Sequence, residues 1–154
     1  MAKFVFKLQP VLNIKLQKEE SLKNELGKSI QKLEIEKIRF IEIEEAMNNM
    51  AEKFNEKAKK IRIRKLIEYK EYLVVLDAKK KIQKENVNKA AIYVDKVREE
   101  LLNAVKERKI LERLKEKKFD EFLLEEKKLE QKINDEIVSY NHSDIKVYDG
   151  SRRE

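Results

Sequence analysis

The sequence contains no cysteine, one proline, one histidine and two glycines, and each scarcity excludes a class of chemistry. Without cysteine there is no disulfide framework, no thiolate nucleophile and no sulfur-liganded zinc or iron–sulfur site. A reducing, cytoplasmic setting is expected. With glycine only at 27 and 150, no glycine-rich loop exists to cradle a phosphate, so the chain alone is not expected to hydrolyse nucleotides. No apolar run approaches the ~18 residues of a membrane span, and the opening MAKFVFKLQPVL lacks a continuous apolar core of secretory length. The expectation is a soluble, intracellular protein.

What the chain has in quantity is charge, at 44% of residues. That leaves little material for a layered domain and suits a long helix that buries a narrow stripe. From Leu26 an apolar residue recurs at every seventh position through Leu33, Phe40, Met47, Phe54 and Ile61. This is the period of a coiled-coil seam. Pro10 suits the first turn of a helix, where a missing N–H is harmless. Gly27 carries a helix penalty of roughly 1 kcal/mol and marks a place where another helix could approach closely.

The ladder breaks after Ile61, since the next sevenfold step is Glu68. Residues 57–65, KAKKIRIRK, hold six basic residues and no acid, whereas residues 34–56 hold seven acids and three bases. This basic, seam-breaking stretch is expected to be a hairpin apex, despite lacking glycine and proline. A second seam begins near Tyr69, Tyr72, Leu73 and Leu76 and runs through Ile82, Val87, Ala90, Val94, Val97, Leu101 and Ala104. Farther on, Leu111, Phe122 and Ile133 lie eleven apart, closer to the period of a straight helix. The expected architecture is all-α, a long antiparallel two-helix coiled-coil hairpin over residues 1–138. Its first helix spans about 10–58, its apex about 57–66 and its second helix about 67–138, with 139–154 a flexible C-terminal tail. A parallel homodimer is the structural rival.

His142 lies in that tail with no fixed second ligand nearby, so it is expected to be a solvated side chain. Adjacent carboxylates such as Glu44–Glu45 and Glu125–Glu126 face different directions on a helix, and a narrow coil desolvates them too little for acid–base work. Met47 and Met50 fall on or beside the seam. No enzyme activity, metal, cofactor or small-molecule ligand is expected. The net charge of +7 invites a nucleic-acid reading, but acids interleave with bases at helical spacing, as in Glu19–Lys23, Glu56–Lys60 and Glu85–Lys89. Most of this charge is expected to be a solvated face. In KERKILERLKEKK, residues 106–118, seven bases outnumber three acids but spread around the helix rather than along one side.

Four separated patches carry a family likeness. Phe4-x-Phe6-x-Leu8-Gln9-x-Val11-Leu12 opens the first helix, and Ile67-Glu68-Tyr69-Lys70-Glu71-Tyr72-Leu73-x-x-Leu76-Asp77 follows the apex. Lys106-Glu107-Arg108-Lys109-x-Leu111-Glu112-x-Leu114-x-Glu116 leads on to Leu129-Glu130-Gln131-Lys132-x-x-Asp135-Glu136. In order, spacing and length, the chain from Phe4 to about Ile137 resembles the FliJ family, the coiled-coil component of the bacterial flagellar type III protein export apparatus. The resemblance implies an antiparallel two-helix coiled coil similar to the central stalk of rotary ATPases. It implies as partners the hexameric export ATPase, the cytoplasmic region of the export gate protein and export chaperones. It implies a cytoplasmic place at the inner face of the cell membrane, held there through partners. Tyr72 and Leu76 match the aromatic and leucine positions that bind the gate, and four-residue spacing puts them near one helix face. Both could equally pack inside the coil. Family members can carry a glycine-rich apex, where this chain has KAKKIRIRK. Two other classes compete: a basic coiled-coil protein using residues 57–65 and 106–118 on nucleic-acid phosphates, and a generic coiled-coil scaffold or chaperone.

Overall fold

The computed structural model describes residues 3–57, 59, 60 and 62–150, with 143–150 as helix backbone only. Two helices, α1 (Gln9–Lys57) and α2 (Ile63–Gly150), form an all-α helical hairpin. No strand occurs among the described residues. The chain separates into two compact units, Lys15–Lys106 around the reversal and Met1–Ile14 with Glu107–Glu154.

In the Lys15–Lys106 unit the two helices run antiparallel. Glu25 meets Tyr93, Glu36 meets Gln83 and Glu44 meets Lys80, so positions rise on one helix as they fall on the other. The sheltered residues of α1 alternate in steps of three and four: Lys15, Glu19, Leu22, Leu26, Ser29, Leu33, Glu36, Phe40, Ile43, Met47, Met50 and Phe54. On α2 the matching set is Leu66, Tyr69, Leu73, Leu76, Lys80, Gln83, Val87, Ala90, Val94, Val97, Leu101 and Ala104. Val94 and Val97 are the most deeply buried large side chains. This is the two-sided heptad seam expected of a coiled coil.

Several seam positions are polar, and each is satisfied. The Gln83 amide donates both to the Glu36 backbone carbonyl, at 2.9 Å, and to the Glu36 carboxylate. Lys80 donates to Glu44 at 2.8 Å while its ammonium lies 5.6 Å from the centre of the Phe40 ring. Glu19, only 6% exposed, pairs with Lys23 at 2.9 Å, the one expected intrahelical pair that closes. Glu56–Lys60 does not form on a helix because α1 ends at Lys57. The sequence pattern places Ile82 in the seam, but Ile82 is 62% exposed and its neighbours Lys80 and Gln83 take those positions. The three–four alternation therefore outranks residue hydrophobicity here.

The helix ends explain themselves locally. The Gln9 N–H donates to the Phe6 carbonyl at 3.0 Å and Pro10 follows in the first turn, where it removes no intrahelical bond. At the reversal, the N–H of Lys60 donates to the Lys57 carbonyl and that of Lys65 to Arg62, both at 2.9 Å. No described residue adopts positive φ. Ala58 and Ile61, the latter the last expected rung of the ladder, lie outside the described residues. α2 continues to Gly150, past the position near 138 where the apolar pattern stops. An established helix gains one backbone hydrogen bond per added residue even without a covered face.

Gly27 marks no close approach. It is exposed, and a Cβ added there would meet nothing within 4 Å. Gly27→Ala is therefore expected to raise stability by about 1 kcal/mol, read as a higher urea midpoint in circular dichroism. Gln83→Ala removes the cross-helix donor to Glu36, leaving only Arg39 of the same helix, and is expected to cost about 1 kcal/mol in the same assay. Substitution at exposed Lys32 should cost nothing measurable, and equal losses at positions 32 and 83 would sink the seam assignment.

Candidate partner-binding surfaces

Near the reversal, Tyr69 and Leu73 line the seam half-buried, and Leu76 completes the turn at 5% exposure. Tyr72 sits about 40° around the helix from Leu76, which turns its ring out of the seam to 46% exposure. It borders an open groove together with Met50, Lys65, Glu68 and Tyr69. The two residues matched to gate-binding positions thus occupy different environments. Tyr72 is available at the surface; Leu76 is a packing residue beneath it.

In the terminal unit, the segment before α1 folds back onto α2. The Phe4 ring stacks edge-on against Phe119, with centroids 5.2 Å apart, and tilts against Phe122 at 5.6 Å. Phe6 and Leu12 are buried, and Lys115 donates to the Gln9 side-chain carbonyl at 2.8 Å. An apolar groove with a charged rim opens among Phe4, Phe6, Leu8, Leu114, Phe122, Lys118 and Glu121. On that rim Lys118 donates to Glu121 at 2.7 Å. This bond holds the Glu121 carboxyl below its ordinary range and pushes the Lys118 ammonium up.

The seven-residue spacing on α2 does not drift as the sequence suggests. Arg108 and Leu111, then Lys115 and Phe122, continue it as partly sheltered positions, with two cations standing where apolar residues would be looked for. Beyond Phe122, Leu129, Ile133 and Tyr140 lie within about 40° of its face. All three are exposed, at 58%, 55% and 69%. Sequence reasoning missed this uncovered stripe and the Phe4 cluster as sites. The signal was the sevenfold run from Val94 through Leu101, Arg108, Lys115 and Phe122 to Leu129, concealed by its two basic members.

No group of three or more His, Cys, Asp or Glu side chains among the described residues is placed to hold a metal ion. His142 is exposed. No helix among the described residues is long and apolar enough to cross a membrane. The arrangement is that of a coiled-coil hairpin with open grooves, an exposed aromatic and an exposed apolar helix stripe. The family model described as "Flagellar FliJ protein" matches residues 4–145. The chain belongs to the FliJ family and is a component of the flagellar export apparatus. No curated protein and no solved structure matches it.

The pH dependence of the rim pair follows from its two shifts. Glu121 is depressed on folding, so its contribution is present above the unfolded carboxylate pKa and fades as pH falls through the folded value. Lys118 is raised, so its contribution is present below the unfolded ammonium pKa and fades as pH rises through the folded value. The pair is formed between those limits. An NMR titration should place the Glu121 midpoint below the ordinary carboxylate value, and Lys118→Gln should move it back up. An unchanged midpoint would show that the pair does not form in solution.

Proposed function

We propose that this chain binds the hexameric export ATPase through its terminal unit and couples it to the cytoplasmic region of the export gate through the surface around Tyr72. It works in the cytoplasm, at the inner face of the cell membrane, held there by those partners and serving export chaperones as well. The observation that carries this reading is the family match over residues 4–145, which includes both surfaces. The exposed stripe of Leu129, Ile133 and Tyr140 supplies apolar area for a partner helix or ring lining. A single asymmetric chain inside a six-fold ring contacts its subunits unequally, and so biases them toward different states. Tyr72 supplies the gate contact. Leu76 supports it by fixing the turn on which Tyr72 stands.

On residues 106–118 the phosphate-binding alternative is weakened because two of the seven bases are engaged in ion pairs. Arg108 pairs with Glu112 at 2.6 Å and Lys118 with Glu121 at 2.7 Å. Counterion release on nucleic acid needs unneutralised cations.

The test is affinity capture of the tagged chain with purified ATPase and gate cytoplasmic region, with thermal melts in parallel. Tyr72→Ala should lose gate capture at least tenfold while keeping ATPase capture and its melting temperature. Leu76→Ala should destabilise by about 2 kcal/mol or more, since it empties a buried seam position. Full gate capture by the Tyr72 variant would overturn the assignment of that surface. Failure of the native chain to retain either partner would overturn the function.

A further inference from the structure

We propose that the chain reversal docks directly on an anionic lipid surface. Lys57, Lys59, Lys60, Arg62, Arg64 and Lys65 are all exposed, and the nearest acids in sequence are Glu56 and Glu68. Among the described residues, none of the six takes part in an ion pair, whereas Lys23, Lys37, Arg39, Lys80, Lys81, Lys96, Arg98, Arg108 and Lys118 all do. The first turn of α2 contains no acid and instead begins with Arg64 and Lys65 beside Ile63. Cations there add to the positive end of the helix dipole rather than neutralising it. The reversal is therefore a stretch in which six cations stand with no acid among them.

The choice of occupant follows from shape and from the apolar residues between the cations. The basic residues cluster where the chain turns back rather than along one helical stripe, so they meet a plane better than a line of phosphates. Ile63 is 77% exposed and Ile67 52%. Branched aliphatic side chains gain nothing against a phosphate backbone, but they enter the boundary between headgroups and acyl chains. Lysines and arginines near a negatively charged leaflet each strengthen association about fivefold. The combination fits anionic phospholipid, a contact that needs no protein partner and is tested with residues outside the Tyr72 groove.

The experiment is co-sedimentation of the intact chain with vesicles of phosphatidylcholine alone or containing roughly one-third phosphatidylglycerol, at about 0.1 M salt. A tip variant carries Lys59→Glu, Lys60→Glu and Arg62→Glu. A variant of equal net charge carries Lys106→Glu, Lys109→Glu and Lys117→Glu at exposed positions of distal α2. The native chain should sediment only with the anionic vesicles. The tip variant should bind them about a hundredfold more weakly, the equal-charge variant within fivefold of native, and Ile63→Ser several-fold more weakly with no change of charge. Equal losses in the two charge variants would reduce the effect to net charge and overturn the proposal. So would a tip variant that keeps vesicle binding while losing affinity for a single-stranded polynucleotide.

Discussion

The hydrogen bonds from Gln83 to the carbonyl and carboxylate of Glu36 can form in only one register of the two helices. A two-helix seam of leucines, valines and phenylalanines tolerates sliding by a heptad, because one apolar layer resembles the next. Sliding by seven residues here would carry Gln83 to the level of Ser29 or Ile43 and leave the Glu36 carboxylate against apolar neighbours. The carboxylate would keep Arg39 of its own helix but lose its cross-helix donor, which disfavours the shifted level. Lys80 reinforces the same register from one turn away, bonded to Glu44 and lying over Phe40. The register in turn decides which residues of each helix remain at the surface, and so decides where a partner can bind.

The heptad was legible in the sequence wherever its occupants were apolar. Leu26, Leu33, Phe40, Met47 and Phe54 all shelter on the seam, as do Val94, Val97 and Ala104 on the other helix. It was illegible where a polar residue took a seam position, because a pattern built on hydrophobicity skips such residues and recruits a neighbour. Glu19 was passed over although it is buried, and Ile82 was recruited although it faces water. The same effect made distal α2 look like a change of period, when Arg108 and Lys115 were holding the old one. The turn was read from charge and from loss of period, with no glycine or proline to mark it.

Tyr72 and Leu76 illustrate a limit of spacing arguments. Residues four apart share a helix face in general terms, yet the rotation between them is about 40°, comparable to half the width of a narrow seam. Leu76 falls inside that width and Tyr72 outside it, giving exposures of 5% and 46%. A partner approaching this surface meets the ring, the Met50 side of the groove and the charges of Lys65 and Glu68. An effect of Leu76 on binding would then pass through the orientation of Tyr72, and stability and affinity would change together.

The two units expose different chemistry, and this bears on how one chain could serve two partners. The reversal presents unpaired cations, two isoleucines and a tyrosine-lined groove. The terminal unit presents the Lys118–Glu121 pair beside aromatic and aliphatic surface, with Phe4 packed on Phe122 and the stripe of Leu129, Ile133 and Tyr140 exposed. Recognition at the first is dominated by long-range attraction, which salt screens and which mainly speeds encounter. At the second it is dominated by apolar burial, which salt leaves intact and which sets the lifetime of a complex. Rising ionic strength would therefore weaken contacts at the reversal first and spare those at the terminal unit. A chain built this way can remain on an apolar partner while exchanging quickly at a charged one, the kinetic asymmetry that the proposed coupling role would use.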